Sequence, residues 1–382
     1  MFIIKTLNKI SPNGLKLLPG ELYRIDDSAA EPDGIIVRSA DMLQESAFPT
    51  SLKAIARAGA GTNNIPVDRC AENGIVVFNT PGANANAVKE LVICALLLAS
   101  RDIAGGIQWA VGLEDKSQVG ALVEKKKSAF AGPELFGKTL GVIGLGAIGA
   151  LVAKAATDLG MTVIGYDPYL NVAAACRLDP AVKVVDELKS VFAGSDYITI
   201  HVPQTPGTKG MLDAQAFAAM KDGVRLVNIA RGGLVNDADL LGAIDSGKVS
   251  RYVTDFPDAD LVGHSGVVCI PHLGASTPES EENCAVMAAK EMRDYLENGN
   301  INCSVNFPAV NLERGAEHRV CVAYRDDPEL PGRISGALTS CGCRVSAFKS
   351  ASNGKVGYAI FDVDKTASLP EMPGVIRVIN VF

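Results

Sequence analysis

Two charged residues, Arg231 and His272, directly follow apolar stretches that are typical of buried strands. A histidine exchanges a proton near neutral pH, and the planar guanidinium of an arginine holds a carboxylate with two hydrogen bonds. Together they predict acid–base chemistry on a small carboxylic acid. Two other interpretations stay open at this point, because a histidine at a strand end can be a buried hydrogen-bonding group and an arginine at a turn can be a surface charge.

A glycine-rich turn indicates a cofactor. Residues 144–149 follow the Gly-x-Gly-x-x-Gly pattern between an apolar strand-like run and a predicted helix, and the next strand-like run ends at Asp167. In such a unit the glycines let the backbone approach a pyrophosphate at the helix N-terminus, and the acid accepts hydrogen bonds from the adenine ribose. A carboxylate repels a 2′-phosphate, and Pro168 and Tyr169 carry no positive charge. We therefore predict NAD, rather than NADP, as the cofactor.

Further polar residues end neighbouring strand-like runs, where the crevice of an open parallel sheet binds its ligand. Asp255 is predicted to hydrogen-bond the carboxamide of the nicotinamide, and His201 to line the cofactor rather than act as the base. The full set predicted to contact NAD is Gly144, Gly146, Ala147, Ile148, Gly149, Asp167, His201, Val202, Pro203, Ile229, Ala230, Arg231, Asp255, His272 and Gly274.

The order of predicted elements indicates an α/β protein with two Rossmann-like domains built on parallel sheets. Strand-like and helical segments alternate through both, and two long helices, 84–101 and 278–298, carry the chain between them. The predicted substrate-binding domain is 1–95 with 276–312, the NAD-binding domain inserted into it is 96–275, and a small C-terminal α+β domain is 316–382.

Composition limits the class of protein. The 382 residues suffice for about two to three domains, and 48% apolar with 21% charged residues is ordinary for a globular protein. A net charge of −7 argues against nucleic acid or a membrane surface as partner. The nine cysteines lack the spacing of a metal site or a disulfide framework, and the N-terminus lacks the features of a signal peptide. We therefore expect reduced thiols, no metal and a cytoplasmic location.

The same residues resemble the NAD-dependent D-2-hydroxyacid dehydrogenases over residues 1–310. In that family an arginine binds the substrate carboxylate and carbonyl and a histidine is the acid/base, roles that the resemblance gives to Arg231 and His272. A carboxylate, usually a glutamate, orients the histidine; the resemblance places Asp260 there, with Asp258 as a rival. The matching motifs are Gly144-Leu145-Gly146-Ala147-Ile148-Gly149, His201-Val202-Pro203, Asn228-Ile229-Ala230-Arg231-Gly232 and Pro271-His272-Leu273-Gly274-Ala275-Ser276-Thr277.

The N-terminal loops indicate the substrate, which is expected between the two large domains. Arg38 and Arg57 end adjacent predicted strands and suit a phosphate, unless they form only surface salt bridges. These loops resemble those of family members that oxidise 3-phospho-D-glycerate to 3-phosphohydroxypyruvate, the first step of phosphorylated serine biosynthesis. The alternatives are another D-2-hydroxyacid dehydrogenase, such as a glyoxylate or hydroxypyruvate reductase, and an NAD-sensing corepressor. The residues expected to bind this phosphorylated hydroxy acid are Arg38, Ser39, Arg57, Ala60, Gly61, Asn84 and Lys127.

The C-terminal domain resembles the ACT domain that ends many of these enzymes. Serine-regulated members carry a His-x-Asn pair where this chain has Asp327 and Glu329, and acidic groups repel the carboxylate of serine. We therefore predict a degenerate ACT-like domain that serves assembly, into a homodimer or homotetramer, rather than serine feedback. Its strands are predicted near 319–324, 343–349, 355–363 and 375–381, with a helix that begins near 331.

Overall fold

The computed structural model describes residues 1–45, 47–114 and 116–381. The chain divides into two compact units: unit 1 is Met1–Asn84 with Thr277–Phe382, and unit 2 is Ala85–Ser276. Unit 2 is thus inserted in the sequence of unit 1, while the predicted boundaries of three separate domains stay predictions. No helix in the described ranges is long and apolar enough to cross a membrane.

Strands and helices alternate along most of the chain. The strands in the described part are β1 (Phe2–Leu7), β2 (Tyr23–Ile25), β3 (Gly34–Val37), β4 (Ala54–Arg57), β5 (Val76–Phe78), β6 (Thr139–Ile143), β7 (Thr162–Tyr166), β8 (Lys183–Val184), β9 (Tyr197–Ile200), β10 (Val224–Asn228), β11 (Val249–Thr254), β12 (Val267–Cys269), β13 (His318–Arg325), β14 (Val345–Ser352), β15 (Val356–Val363) and β16 (Val375–Val381). The helices are α1 (Pro12–Leu15), α2 (Val67–Glu72), α3 (Ala85–Ser100), α4 (Ile103–Val111), α5 (Val119–Lys126), α6 (Ala147–Asp158), α7 (Val172–Ala175), α8 (Leu188–Gly194), α9 (Ala214–Ala219), α10 (Asp237–Asp245), α11 (Pro278–Asn298) and α12 (Leu330–Ser340), with a 3-10 turn at Lys127–Phe130.

Unit 1 is built on a parallel sheet with the strand order β2-β1-β3-β4-β5. Strands β3 and β5 are buried along their whole length, as their uninterrupted apolar sequences predict. Helix α11 packs on this sheet, and Ala288 and Met292 join the apolar cluster of Ile4 and Val76. Its start is capped by the hydroxyl of Thr277, and its bounds equal the predicted 278–298.

Unit 2 contains a parallel sheet with the order β12-β11-β10-β9-β6-β7-β8. Both faces are covered: Val142 of β6 packs in one apolar cluster with Val152 of α6, and the next residue, Ile143, packs in another with Leu240 of α10. Because all strands run parallel, their carboxyl ends share one edge of the sheet. The residues that follow these strands are therefore brought together.

The C-terminal strands form an antiparallel sheet with the order β14-β15-β13-β16, and the predicted α+β order of this region is confirmed. Helix α12 covers one face through Ile334, while Ile360 on the other face joins the apolar cluster of α11. The fully buried Arg319 pairs with Asp362 at 2.6 Å and donates to the carbonyl oxygen of Asn298 at 2.7 Å. The sheet is therefore fastened to the end of α11 by both apolar and ionic contacts.

Candidate active site

The glycine-rich turn between β6 and α6 has the shape that its sequence pattern predicts. Gly144 has φ 93°, and a side chain there would approach the carbonyl oxygen of His201 to 2.6 Å. A Cβ on Gly149 would lie 1.9 Å from the carbonyl oxygen of Gly144, so this glycine lets the helix pack on the strand. A Cβ on Gly146 would meet no atom of the described chain within 4 Å. The second glycine therefore borders the open space that an approaching pyrophosphate needs.

The first turn of α6 offers hydrogen-bond donors to that space. The residue at its N-terminal cap is Gly146, which has no side chain to bond the first N–H groups of the helix. The N–H groups of Ala147 and Ile148 belong to this first turn, which has no carbonyl partners within the helix. Because a helix N-terminus favours anions, these residues fit the pyrophosphate of a dinucleotide.

Asp167 lies directly after β7, beside the glycine turn. Its Oδ2 accepts the N–H of Leu145 at 2.9 Å, and its Oδ1 accepts the N–H of Tyr169 at 2.9 Å. The side chain is half-buried, and each carboxylate oxygen keeps a further lone pair for a hydroxyl donor. Asp167 is therefore held in the place predicted for the contact with the adenine ribose.

His201 follows β9 at the same edge of the sheet. Its Nε2 lies 3.0 Å from the hydroxyl of Thr199, and its Nδ1 is buried with no hydrogen-bond partner among the described residues. Burial lowers the pKa of His201 to about 3, so the ring is neutral at physiological pH and is a poor proton acceptor. This agrees with its predicted role beside the cofactor. Val202 packs next to the first glycine of the turn, and the carbonyl of Pro203 accepts the hydroxyl of Thr208 at 2.6 Å.

The loop after β10 is held by Asn228, the buried last residue of that strand. Its Nδ2 donates to the carbonyl oxygen of Arg231 at 2.8 Å, and its Oδ1 accepts the N–H of Ala230 at 3.1 Å. Ile229 is buried, whereas the side chain of Arg231 is exposed, with its Nη1 2.7 Å from the Ala230 carbonyl oxygen. The guanidinium of Arg231 is thus carried by a braced loop and is open to a carboxylate.

Asp255 and His272 follow the adjacent strands β11 and β12. The side chain of Asp255 is buried, and its Oδ2 accepts the N–H of Gly274 at 3.2 Å. His272 is exposed, and its ring packs on Phe256 with the ring centroids 4.5 Å apart. Burial raises the pKa of Asp255, against the hydrogen bond from Gly274 and the positive charges of His272 and Arg231. A carboxylate, an imidazole and a guanidinium are therefore electrostatically coupled at this edge.

The predicted acid partner, Asp260, lies in the segment that turns at Asp258. Oδ1 of Asp258 accepts the N–H groups of Asp260 and Leu261, both at 3.0 Å. Burial, a hydrogen bond with Asp258 and the charges of Asp258 and Asp260 raise the pKa of Asp237 to about 6. Asp237 and Asp258 line a cavity of about 340 Å³. The described contacts of these acids are with one another and with backbone, and the role of Asp260 stays a prediction.

In unit 1, Arg38 directly follows β3 and Arg57 ends the neighbouring β4. Arg38 forms a 2.8 Å ion pair with Glu281 in the first turn of α11. The guanidinium of Arg57 lies over Gly59, where a Cβ would collide with it. Asn84 has a buried Oδ1 with no partner in the described part of the chain. The two predicted phosphate-binding arginines thus end adjacent parallel strands of this unit.

The other predicted substrate loops are braced by asparagines. The N–H of Ser39 donates to Oδ1 of Asn8 at 2.8 Å, which leaves the exposed hydroxyl of Ser39 as its polar group. The carbonyl of Ala60 accepts Nδ2 of Asn79 at 2.7 Å, and the neighbouring Gly61 is half-buried. These contacts fix the backbone of both loops, and the predicted roles of Ser39, Ala60 and Gly61 stay predictions.

Lys127 lies in unit 2, apart in sequence from the other predicted substrate residues. It begins the 3-10 turn after α5, and its ammonium group contacts the carboxylate of Glu124 one turn earlier. Both side chains are mostly exposed to solvent. Its contact with the substrate stays a prediction.

Comparison with known proteins shows what the chain is similar to. Residues 95–274 match the family model described as D-isomer specific 2-hydroxyacid dehydrogenase, NAD binding domain. The chain is 32% identical over 358 residues to D-3-phosphoglycerate dehydrogenase of Bacillus subtilis, covering 89% of this chain and 65% of that protein. It is 38% identical over 321 residues to D-3-phosphoglycerate dehydrogenase of Mycobacterium leprae, covering 80% and 58%. The chain is thus similar to D-3-phosphoglycerate dehydrogenases over most of its length, and residues 95–274 match the NAD-binding domain of the D-2-hydroxyacid dehydrogenases.

One similar protein of known structure has the same fold. The structure of cofactor(NAD+) bound 3-phosphoglycerate dehydrogenase in Entamoeba histolytica matches with a TM-score of 0.60 and 25% identity, over 80% of this chain and 98% of that chain. This chain spans less than two thirds of the length of the two curated relatives. The predicted α/β fold, the Rossmann-type parallel sheets and the NAD cofactor are confirmed.

Sequence reasoning missed three residues that contact predicted site residues of the two units. Asn228 braces the Arg231 loop, and its signal was the asparagine that ends the strand-like run before Arg231. Phe256 supports the ring of His272, and no pattern in the sequence indicated this contact. Glu281 pairs with Arg38 across a long sequence separation, which neither sequence periodicity nor motif spacing reports.

Proposed function

We propose that this protein oxidises 3-phospho-D-glycerate to 3-phosphohydroxypyruvate with NAD, the first step of phosphorylated serine biosynthesis. The observation that carries the proposal is the common edge of the parallel sheet in unit 2, where the glycine turn, Arg231 and His272 all follow strand ends. The similarity to curated D-3-phosphoglycerate dehydrogenases supports the choice of substrate.

The proposed chemistry divides between three groups of this chain. Bound NAD supplies the acceptor for the hydrogen that leaves C2 of the acid with its electron pair. Arg231 holds the carboxylate and so orients C2. His272, exposed at the end of β12, takes the proton of the C2 hydroxyl, and Asp260 is the carboxylate that we expect to assist it.

The phosphate of the substrate is assigned to unit 1. Arg38 and Arg57 provide two guanidinium groups. Oδ1 of Asn84 is buried and has no hydrogen-bond partner among the described residues, so it can accept a hydrogen bond from a substrate hydroxyl. Ser39, with the N–H groups near Ala60 and Gly61, completes the set, and Lys127 adds a positive charge. The phosphate must compete with Glu281 for Arg38, because that ion pair is formed already.

Steady-state kinetics with NAD test the proposal. We expect 3-phosphoglycerate to be used with a kcat/KM at least about tenfold above that of unphosphorylated D-glycerate, since one charge-assisted hydrogen bond contributes about 1.5–3 kcal/mol. Arg38→Ala should raise the KM for 3-phosphoglycerate about tenfold. Arg24→Ala is a matched control, because Arg24 is a half-exposed arginine of the same unit that pairs with Asp26. Equal use of both acids, or preferred reduction of glyoxylate or hydroxypyruvate, would assign the protein to the other reductases of the family.

Assembly into a homodimer or homotetramer is the second part of the proposal. Helix α4 has no buried residue, and Ile103, Ile107 and Val111 expose 38%, 59% and 82% of their surface on one face of it. We propose that a second copy of the chain covers this face. Ile107→Glu should shift the molar mass measured by sedimentation towards that of one chain, and an unchanged mass would place the interface elsewhere.

The C-terminal sheet and the thiols complete the proposal. Asp327 pairs with Arg333 and accepts the N–H of Glu329, so the predicted degenerate effector site is occupied by its own contacts. We expect no inhibition by low concentrations of serine, and inhibition in the kinetic assay would contradict this.

All nine cysteines are free, which suits the reducing cytoplasm that we propose as the location. Cell fractionation tests this location.

A further inference from the structure

The parallel strands β4 and β5 of unit 1 stay connected beyond their last residues. The N–H of Thr80 donates to the carbonyl oxygen of Gly59 at 3.1 Å. Nδ2 of Asn79 donates to the carbonyl oxygen of Ala60 at 2.7 Å. The loop at residues 59–61 is therefore fastened to the residues that follow β5 by one backbone bond and one side-chain bond.

The guanidinium of Arg57 lies against the same loop. A Cβ on Gly59 would collide with this guanidinium, and the N–H of Gly59 donates to the carbonyl oxygen of Arg57 at 2.8 Å. Ala60 and Gly61, the next residues along the chain, provide the N–H groups that we expect at the substrate. A displacement of the loop would therefore move these donors and one predicted phosphate-binding guanidinium together.

Strand β5 is an edge strand of its sheet, and the segment 303–306 covers its free side. Asn306 is 6% exposed and bonds the backbone of β5 with both ends of its amide group. Its Oδ1 accepts the N–H of Val77, and its Nδ2 donates to the carbonyl oxygen of Ile75, both at 2.9 Å. These bonds replace those that a further strand would supply, so the end of β5 is held in place.

The first residue of this segment, Cys303, holds the backbone of Asn79. The N–H of Asn79 donates to the carbonyl oxygen of Cys303 at 3.3 Å. The backbone N–H and the thiol of Cys303 in turn hydrogen-bond the carboxyl group of Glu291, a buried residue of α11. The backbone of Asn79 is thus tied through Cys303 to α11, while its side-chain amide reaches across to the loop 59–61.

We propose that Asn79 is a positioning residue of the substrate site: its amide holds the loop 59–61 so that the guanidinium of Arg57 and the N–H groups of the loop meet the phosphorylated acid. This rests on the proposed function. The carbonyl oxygen of Ala60 needs a donor, and a carboxylate in place of the amide would repel it. Asn79 itself neither binds the substrate nor moves a proton, so its loss weakens substrate binding and leaves the chemical step intact.

Asn79→Asp is the decisive variant, because it removes the donor and keeps the shape of the side chain. We expect the KM for 3-phosphoglycerate to rise about tenfold, while kcat stays within about twofold of the parent and the affinity for NADH is unchanged. Asn73→Asp is the matched control, since Nδ2 of Asn73 also donates to a backbone carbonyl of unit 1, that of Arg69, at 2.8 Å. This control should keep the KM of the parent.

A double variant tests whether Asn79 acts through the loop. If Asn79 positions Arg57, then Asn79→Asp and Arg57→Ala remove part of the same binding energy. The KM of the variant that carries both changes should therefore lie at least about threefold below the value that the product of the two single increases gives. Increases in KM that simply multiply would overturn the proposal.

Amide hydrogen exchange measures the loop without any substrate. Because the N–H of Thr80 donates to Gly59, its protection from exchange reports how tightly the loop is held. Asn79→Asp should lower this protection about fivefold or more, and Asn73→Asp should not change it. If the parent oxidises a different hydroxy acid, the proposed function fails, and exchange at Thr80 still decides whether Asn79 holds the loop.

Loss of folding is not expected to obscure these tests, because Asn79 is only half-buried and aspartate has nearly the same shape. A thermal unfolding curve checks this. If Asn79→Asp does not fold, Asn79→Ala removes the donor without adding a charge, and its KM should rise about fivefold. An unchanged KM in a folded variant, a kcat that falls as much as the KM rises, or unchanged protection of Thr80 would each overturn the proposal.

Discussion

The glycines of the turn after β6 are expected to serve different purposes, so that one substitution weakens cofactor binding and another weakens folding. Gly146 has φ −68° and ψ −162°, an extended conformation that any residue adopts, and its Cβ would meet no described atom within 4 Å. Gly146→Ala should therefore change the free energy of unfolding by less than about 0.5 kcal/mol. The new methyl group nevertheless occupies the space at the first turn of α6 that the pyrophosphate needs.

The expected loss of NADH affinity can be estimated from the hydrogen-bond donors at this turn. A hydrogen bond to a charged group contributes about 1.5–3 kcal/mol, and about 1.4 kcal/mol corresponds to a tenfold change in Kd. Loss of one phosphate contact at the helix N-terminus therefore weakens NADH binding about 10- to 100-fold. A fluorescence titration with NADH measures this, and a thermal melt of the protein without cofactor measures stability.

Gly149→Ala is the matched control, because it adds the same methyl group three residues away. Its Cβ would lie 1.9 Å from the carbonyl oxygen of Gly144, and backbone cannot yield as a side chain does. We expect this variant to lose about 1–3 kcal/mol or more of stability from overpacking. Parental NADH affinity in Gly146→Ala, or a larger loss of stability there than in Gly149→Ala, would refute the reasoning.

Arg319→Met leaves the buried Asp362 carboxylate without its partner, so urea denaturation should show a loss of about 3–5 kcal/mol, largely recovered when Asp362→Leu is added. The carboxyl group of Asp237 binds its proton more tightly in the folded protein, where its pKa is about 6, than in the unfolded chain, where its pKa has the ordinary value of 3.8. The stability of the parent therefore falls as the pH rises from about 4 to 6, and Asp237→Asn should melt higher than the parent above pH 6 but not at pH 4; an equal difference at both would contradict this. Asp167→Ala should weaken NADH binding about tenfold in fluorescence titrations without weakening NADPH binding, because the carboxylate repels a 2′-phosphate.

The sequence could predict which residues of the site follow the ends of strands. The runs before Asp167, His201, Arg231 and His272 are mostly apolar, as strands buried on both faces predict, so a titratable residue soon after each run marks the carboxyl edge. Topology then brings these residues together without any further information. The helix over Pro278–Asn298 was equally readable, since Pro at its start and Gly299 after its end are strong local signals.

Contacts between segments were not predictable in this way. The resemblance placed Asp260 by the position that the family's acid has along the chain, but this position does not report how the segment after β11 turns. Asp258 folds that turn by accepting the N–H groups of Asp260 and Leu261, and this depends on local hydrogen bonds rather than on a family motif. The burial of Asp255 was also invisible, because an acid at a strand end has the same sequence pattern whether it is buried or exposed.

The sequence did indicate that both faces of the C-terminal sheet are buried. An antiparallel sheet that packs on one face only alternates polar and apolar residues, yet every residue of β15, Val356–Val363, is buried. Its sequence is almost uninterrupted in apolar residues, which indicates cover on both sides. The structure supplies that cover from α12 on one face and α11 on the other. The C-terminal sheet is therefore part of the packed core of unit 1.

Helix α11 connects this sheet to the predicted phosphate-binding arginine. In its first turn Glu281 holds Arg38 at 2.8 Å, and at its last residues the carbonyl oxygens of Asn298 and Gly299 accept bonds from Arg319 and from the hydroxyl of Tyr358 at 2.8 Å. A packed, continuous helix moves as a rigid body, so a displacement at one end reaches the other. Substitutions that loosen the contacts at Asn298 should therefore raise the KM for a phosphorylated acid more than they lower kcat, because the proposed proton-transfer residues belong to unit 2 and are not carried by this helix.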